Sequence, residues 1–178
     1  MAECAVTLIA QHPAWPERFA EEARRLLTLF AGEVAGVHHV GSTAVPALVA
    51  KPTIDVLIEV LSLRRLDALR ARALAAGYRW HGENGIVGRR YLVVAGAPGR
   101  EDEAHVHAFA IGHPEVERHI AFRDYLIAHP ARAEAYARLK AGLARAHAED
   151  RAGYVDGKEA FIRETDALAR AWRLSGGG

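Results

Sequence analysis

His38-His39-Val40-Gly41-Ser42-Thr43-Ala44-Val45-Pro46-Ala47-Leu48-Val49-Ala50-Lys51-Pro52-Thr53-Ile54-Asp55-Val56-Leu57-Ile58-Glu59-Val60 holds two apolar runs, one on each side of a Gly-Ser-Thr step. The first run, residues 34–40, is short and bounded by glycine and reads as a strand. The second, 53–61, is β-branched and apolar and reads as a buried strand. Gly41 permits a sharp turn and a close backbone approach. Ser42 or Thr43 can cap the next helical turn, and the hydroxyl and neighbouring N–H groups can hold a phosphate. The plainer reading is an ordinary strand-to-helix turn, since Gly-Ser is frequent in turns. The GxxxxGK[ST] pattern is absent, so this is not a Walker P-loop. Fourteen residues after Gly41 the second run presents one carboxylate, Asp55. Aspartate is disfavoured in strands, and burying it unpaired costs several kcal/mol. It therefore needs a partner: a metal, Lys51, an arginine or a histidine. The alternative role is a salt-bridged structural acid.

Working outward, Pro13 and Pro16 frame a helix over 15–31. Phe19, Ala23, Leu26, Leu27 and Phe30 fall on one face of it. Downstream, Ser62 caps a helix over 63–76 that ends at Gly77. Strands follow at 78–81, 89–95 and 104–111, joined by a glycine-rich loop at 81–88 and a polar turn at 96–103. Arg89 and Arg90 point to opposite faces of their strand, so one of them, taken as Arg90, faces the pocket. His105 and His107 share a face roughly 7 Å apart, which suits two ligands or two polar contacts. A bare pair of this kind equally fits hydrogen-bonded histidines. Three helices then follow, at 114–128, 131–148 and 155–173, separated by His129-Pro130 and by Arg151-Ala152-Gly153. Arg123 sits in an apolar frame, and Tyr154 and Lys158 share a helix face. The reading is one α+β domain over 1–178, with a sheet core at about 34–111 and a helical tail at about 114–173 that packs on it.

The 178 residues suit one domain, and 51% hydrophobic with 25% charged residues suits a globular chain. A net charge of +1 gives no electrostatic case for nucleic acid. Cys4 is the single cysteine, so it forms no internal disulfide and reads as a bystander. No basic-plus-apolar leader opens the sequence, and no apolar run approaches the roughly 18 residues of a membrane span. A cytoplasmic protein without membrane partners is expected.

HHVGSTAVPALVAKPTIDVLI, HVHAF, ERHIAFRDYLIAHP and YVDGKEAFI, in that order between about Trp15 and Trp172, resemble the GrpB family, also called UPF0157. A related domain is fused behind some dephospho-coenzyme A kinases. Ala47 stands where the family usually has glycine. The resemblance implies a nucleotidyltransferase-like fold: a mixed sheet with flanking helices and a helical C-terminal segment. It also implies that Gly41 and Ser42 contact phosphates and that Asp55 is the first of two acids that bind a divalent metal, expected to be Mg2+. Leu57 occupies the place of the second acid. Glu59 does not replace it, because four residues of strand span roughly 13 Å and a metal pair is about 4 Å across. By topology His107 takes the place of a third acid.

The expected catalytic residues are thus Asp55 and His107. The expected ligand-binding residues are Gly41, Ser42, Thr43, Lys51, Arg90, His105, Arg123 and Lys158, for a nucleotide or other small anion. Two functions remain open: a metal-dependent nucleotidyl or related phosphate-group transferase, or an inactive nucleotide- or anion-binding module with Asp55 paired to a base. A second carboxylate beside Asp55, such as Glu83, favours the first; histidine and arginine alone favour the second. Nothing specific supports a protein-interaction role for the tail.

Overall fold

The β-branched run 54–60 becomes β2 (Ile54–Val60). It pairs antiparallel with β1 (Val34–Val40) and parallel with β5 (Ala104–Ala110). β4 (Arg89–Val94) runs antiparallel to β5, and β3 (Tyr78–Trp80) closes the edge. The mixed five-stranded sheet has the order β1-β2-β5-β4-β3. This is a computed structural model, and it describes residues 7–46 and 48–177. Cys4 and Ala47 lie outside the described residues.

Period-two alternation gives the sheet two faces of different character. Ile54, Val56, Ile58, Leu92, Val106 and Ala108 fill one face. They pack under α1 (Trp15–Leu29), α2 (Leu63–Ala68) and α3 (Arg70–Ala75). Full burial of each large side chain there contributes about 2 kcal/mol. The opposite face carries Asp55, His105, His107, Arg89 and Tyr91. At one end of it Val40, Leu57 and Phe109 form a small apolar cluster with Val116 of α4 (Pro114–Ala128). The other end stays polar and lies under α5 (Pro130–Ala146) and α6 (Arg151–Asp156). α7 (Glu159–Leu174) packs back along α4.

Three expectations about elements change. Leu27 is 47% exposed, and Leu29 takes its place beside Leu26 and Phe30 on the buried stripe. The helix over 63–76 starts at its Ser62 cap but divides at Leu69, whose N–H bonds Leu66 O; both halves then bury a residue, Leu66 and Ala73. Arg151-Ala152-Gly153 is no separator but the opening of α6, capped by Asp150, which accepts from Gly153 N. The helical break falls instead at Gly157-Lys158. A Cβ at Gly157 would lie 2.4 Å from Leu143 Cδ2, so a side chain here would require Leu143 of α5 to shift.

Candidate functional site

β1 ends at Val40, and Gly41 turns the chain with φ 71° and ψ −168° into a single 3-10 turn, Ser42–Ala44. The turn is pinned from two sides. Buried Thr43 places Oγ1 2.9 Å from His39 Nε2. Arg123, from α4, donates to His39 O at 2.9 Å. Val45 and Leu48 then anchor the following segment on Leu126, Ala133 and Tyr136 of the helical tail. This apolar seam carries α5 across the turn and brings Lys140 onto it. Lys140 Nζ donates to Ser42 Oγ at 2.9 Å and also to Val49 O.

A cavity of about 220 Å3 opens between the turn, the polar end of the sheet and the tail. Ser42, Lys51, Asp55 and His105 line it from the sheet side, and Lys140, Arg151, Tyr154 and Lys158 from the helical side. Lys140 is 2% exposed; burial, reinforced by the Lys158 charge, pushes its ammonium down to about 7. Burial and nearby Lys51 push Lys158 down to about 8, and its Nζ sits 4.3 Å from the Tyr154 ring centroid.

Asp55 is compensated from the sheet itself. The parallel register sets it beside His105, whose Nδ1 lies 3.4 Å from Asp55 Oδ1. His107 Nε2 lies 3.8 Å from the same oxygen. Burial opposes ionisation of Asp55, but these imidazoles outweigh it and hold the carboxyl well below the usual carboxylate range. His105 has its other nitrogen 3.2 Å from Asp102 Oδ2. Burial pulls its pKa down, yet two carboxylates, one at each nitrogen, raise it overall and favour the imidazolium. Lys51 and Arg151 both face Glu101 Oε2, at 2.9 and 3.4 Å. Among the described residues Lys140 and Lys158 have no carboxylate within ion-pair distance.

The description GrpB protein belongs to a family model that matches residues 5–167. The chain belongs to the GrpB family. It is similar to UPF0157 protein YqkA of Bacillus subtilis, 42% identical over 94% of this chain and 48% of that protein. The chain thus spans about half the length of that relative. It also resembles the solved structure of conserved protein GrpB from Enterococcus faecalis, with TM-score 0.86 and 38% identity, covering 93% of this chain and 99% of the other. A dephospho-CoA kinase of Mycobacterium tuberculosis is 29% identical over 97% of this chain and 47% of that protein.

In this GrpB-family chain one pocket gathers Ser42, Thr43, Lys51, Asp55, His105 and Lys158. Gly41 stands behind Asp55 rather than in the cavity: a Cβ there would lie 2.3 Å from Asp55 Oδ2. His107 sits one row further along the face, touching Asp55 and placing Nδ1 3.4 Å from Arg89 Nη1. Arg123 serves the backbone of β1 and pairs with Asp124. Arg90 is on the wrong face. It forks onto Asp67 of α2 at 2.6 and 2.7 Å, and its neighbour Arg89 is the arginine on the polar face. Arg90→Met is accordingly expected to cost about 1 kcal/mol in urea unfolding and to leave anion binding unchanged.

Glu83 does not join Asp55; it accepts from Gly88 N at 2.8 Å. Glu59 faces His38 Nε2 at 2.8 Å. Leu57 is fully buried among Val40, Phe109 and Val116. Among the described residues no group of three or more His, Cys, Asp or Glu is set to hold a metal ion. A paired-acid metal centre therefore does not fit the described residues around Asp55.

Lys140, Arg151 and Tyr136 were missed. Lys140 had a readable signal: with Ala133 and Tyr136 it completes an i, i+3, i+7 buried stripe, where a lysine is out of place. Arg151 was hidden inside a presumed break.

Proposed function

We propose that the pocket binds the phosphate part of a nucleotide or related small phosphate ester, and that the domain works as a binding module. One observation carries this reading: Lys140 and Lys158 face the cavity without a carboxylate partner among the described residues, while Asp55 is balanced by His105. Two desolvated ammonium groups beside a Gly-Ser turn are complementary to a multiply charged oxyanion. The Gly41-to-Asp55 layout, read as nucleotidyltransferase-like, and the name of the dephospho-CoA kinase relative both support a nucleotide-related ligand. Isothermal titration with inorganic phosphate, pyrophosphate and ATP, with and without Mg2+, tests it. Binding is expected without Mg2+, and Lys158→Met is expected to weaken it about 10- to 100-fold, equivalent to about 1.4–2.8 kcal/mol. No heat with any of these anions overturns the reading.

A transferase is the second reading, favoured by Asp55 being held ionised beside the cavity's cations. Asp55→Asn separates the two. A binding module gains anion affinity when a negative charge leaves the pocket. A transferase keeps binding and loses turnover.

A further inference from the structure

The turn at 96–103 between β4 and β5 sends one side chain toward the pocket. Glu101 has a side chain only 6% exposed, and its Oε2 bridges Lys51 Nζ at 2.9 Å and Arg151 Nη1 at 3.4 Å. Its other oxygen, Oε1, is buried and accepts no hydrogen bond among the described residues. The contact to Arg151 is longer than the roughly 2.7–2.9 Å of a good charge-assisted bond, and it uses one nitrogen of a fork built for two oxygens. Glu101 thus pairs closely with Lys51 and poorly with Arg151, two cations that line the smaller cavity.

Glu101 itself lines a different cavity. That space, about 590 Å3, is bounded by Arg18, Pro52, Ala97, Arg100 and residues 101–103. Glu101 therefore stands between the two spaces. The smaller, about 220 Å3, is below the roughly 300–1,000 Å3 usual for small-molecule sites, whereas the larger is within that range. The loop folds on itself at Gly96, packed so tightly that a Cβ would lie 2.0 Å from Glu101 O, and turns at Gly99 with φ +77°.

We propose that Lys51 and Arg151 form a second anion subsite, filled in this structure by the Glu101 carboxylate, and that the second phosphate of a diphosphate ligand binds there by displacing Glu101. This rests on the reading that Lys140 and Lys158 hold the first phosphate. Displacement removes the wall between the cavities, so the organic part of a diphosphate ester enters the larger one. The ligand class is a diphosphate rather than a monophosphate.

Glu101→Gln keeps the shape and removes the charge. Calorimetry on the full chain compares inorganic pyrophosphate with inorganic phosphate. Pyrophosphate affinity is expected to rise about tenfold in E101Q, with phosphate affinity changing less than about twofold. An unchanged or weaker pyrophosphate affinity, with phosphate still bound, overturns this inference and leaves the first site standing. Loss of phosphate binding by the wild type overturns both. A measurement on the unmutated chain guards against misfolding of the variant. Pyrophosphate, but not phosphate, is expected to speed amide exchange at Arg100, whose N–H bonds Ala97 O at 2.9 Å; equal exchange with both anions contradicts displacement.

Discussion

Lys140→Met is expected to weaken phosphate binding by about 100-fold or more and to change how stability depends on pH. Both effects have one cause. Lys140 is held in a fully buried position by Ser42 Oγ and Val49 O, and burial lowers it to about 7 from its ordinary 10.5. Between those values the unfolded chain carries a proton at this lysine that the folded chain does not. Unfolding therefore takes up a proton, and wild-type stability rises with pH across that window. Below about 7 both states are protonated, and the full penalty of burying the ammonium is present. Relative to Lys140→Met, the wild type should gain on the order of 3–5 kcal/mol between pH 7 and 10, read from urea midpoints at several pH values. Parallel curves for the two proteins would sink the assignment. Phosphate affinity has the opposite dependence: it falls as the pH rises past about 7 and then about 8, where Lys140 and Lys158 lose their charge. Binding near pH 8 should draw protons from the buffer, visible as a heat that varies with the buffer's ionisation enthalpy.

Gly41→Ala is expected to destabilise the fold by about 3 kcal/mol or more, a drop in Tm of about 6–12 °C. Two effects add. The dihedrals φ 71° and ψ −168° lie in a region open essentially to glycine alone, which costs about 1–3 kcal/mol for another residue. The new Cβ would also lie 2.3 Å from Asp55 Oδ2 and 2.9 Å from Asp55 Cβ. Asp55 cannot retreat without giving up its imidazole partners. Phosphate binding should fall along with stability, because the turn that carries Ser42 must move. A loss below about 1 kcal/mol in urea unfolding would show that the turn has a second accessible conformation.

Much of this was legible in the chain. Strands and turns followed from short apolar and β-branched runs bounded by glycine, and the start of α4 from Pro114. Asp55 stood out because a carboxylate inside an apolar strand must find a charge, and the GrpB-like motifs placed it beside the Gly-Ser turn. Which charge it finds was not legible. The residue separations leave a metal, Lys51, an arginine or a histidine open, and strand pairing decides between them. The parallel β2–β5 register sets His105 next to Asp55 and strands Leu57 in hydrocarbon.

Facing was the other unreadable quantity. Arg89 and Arg90 are one residue apart, and alternation says only that they diverge; which one meets the polar face depends on the β4–β5 register. Lys140 lies 98 residues from Ser42, and only the apolar seam of Val45, Leu48, Leu126 and Tyr136 brings them together. The sequence alone therefore determined the strands, the glycine turn and the half-buried acid that needs a partner, because local sterics and the cost of desolvating charge act on neighbours in the chain. Tertiary structure decided that the pocket is lined by lysines and an imidazole-paired acid rather than by two carboxylates, because register and helix docking set which distant side chains share one desolvated space.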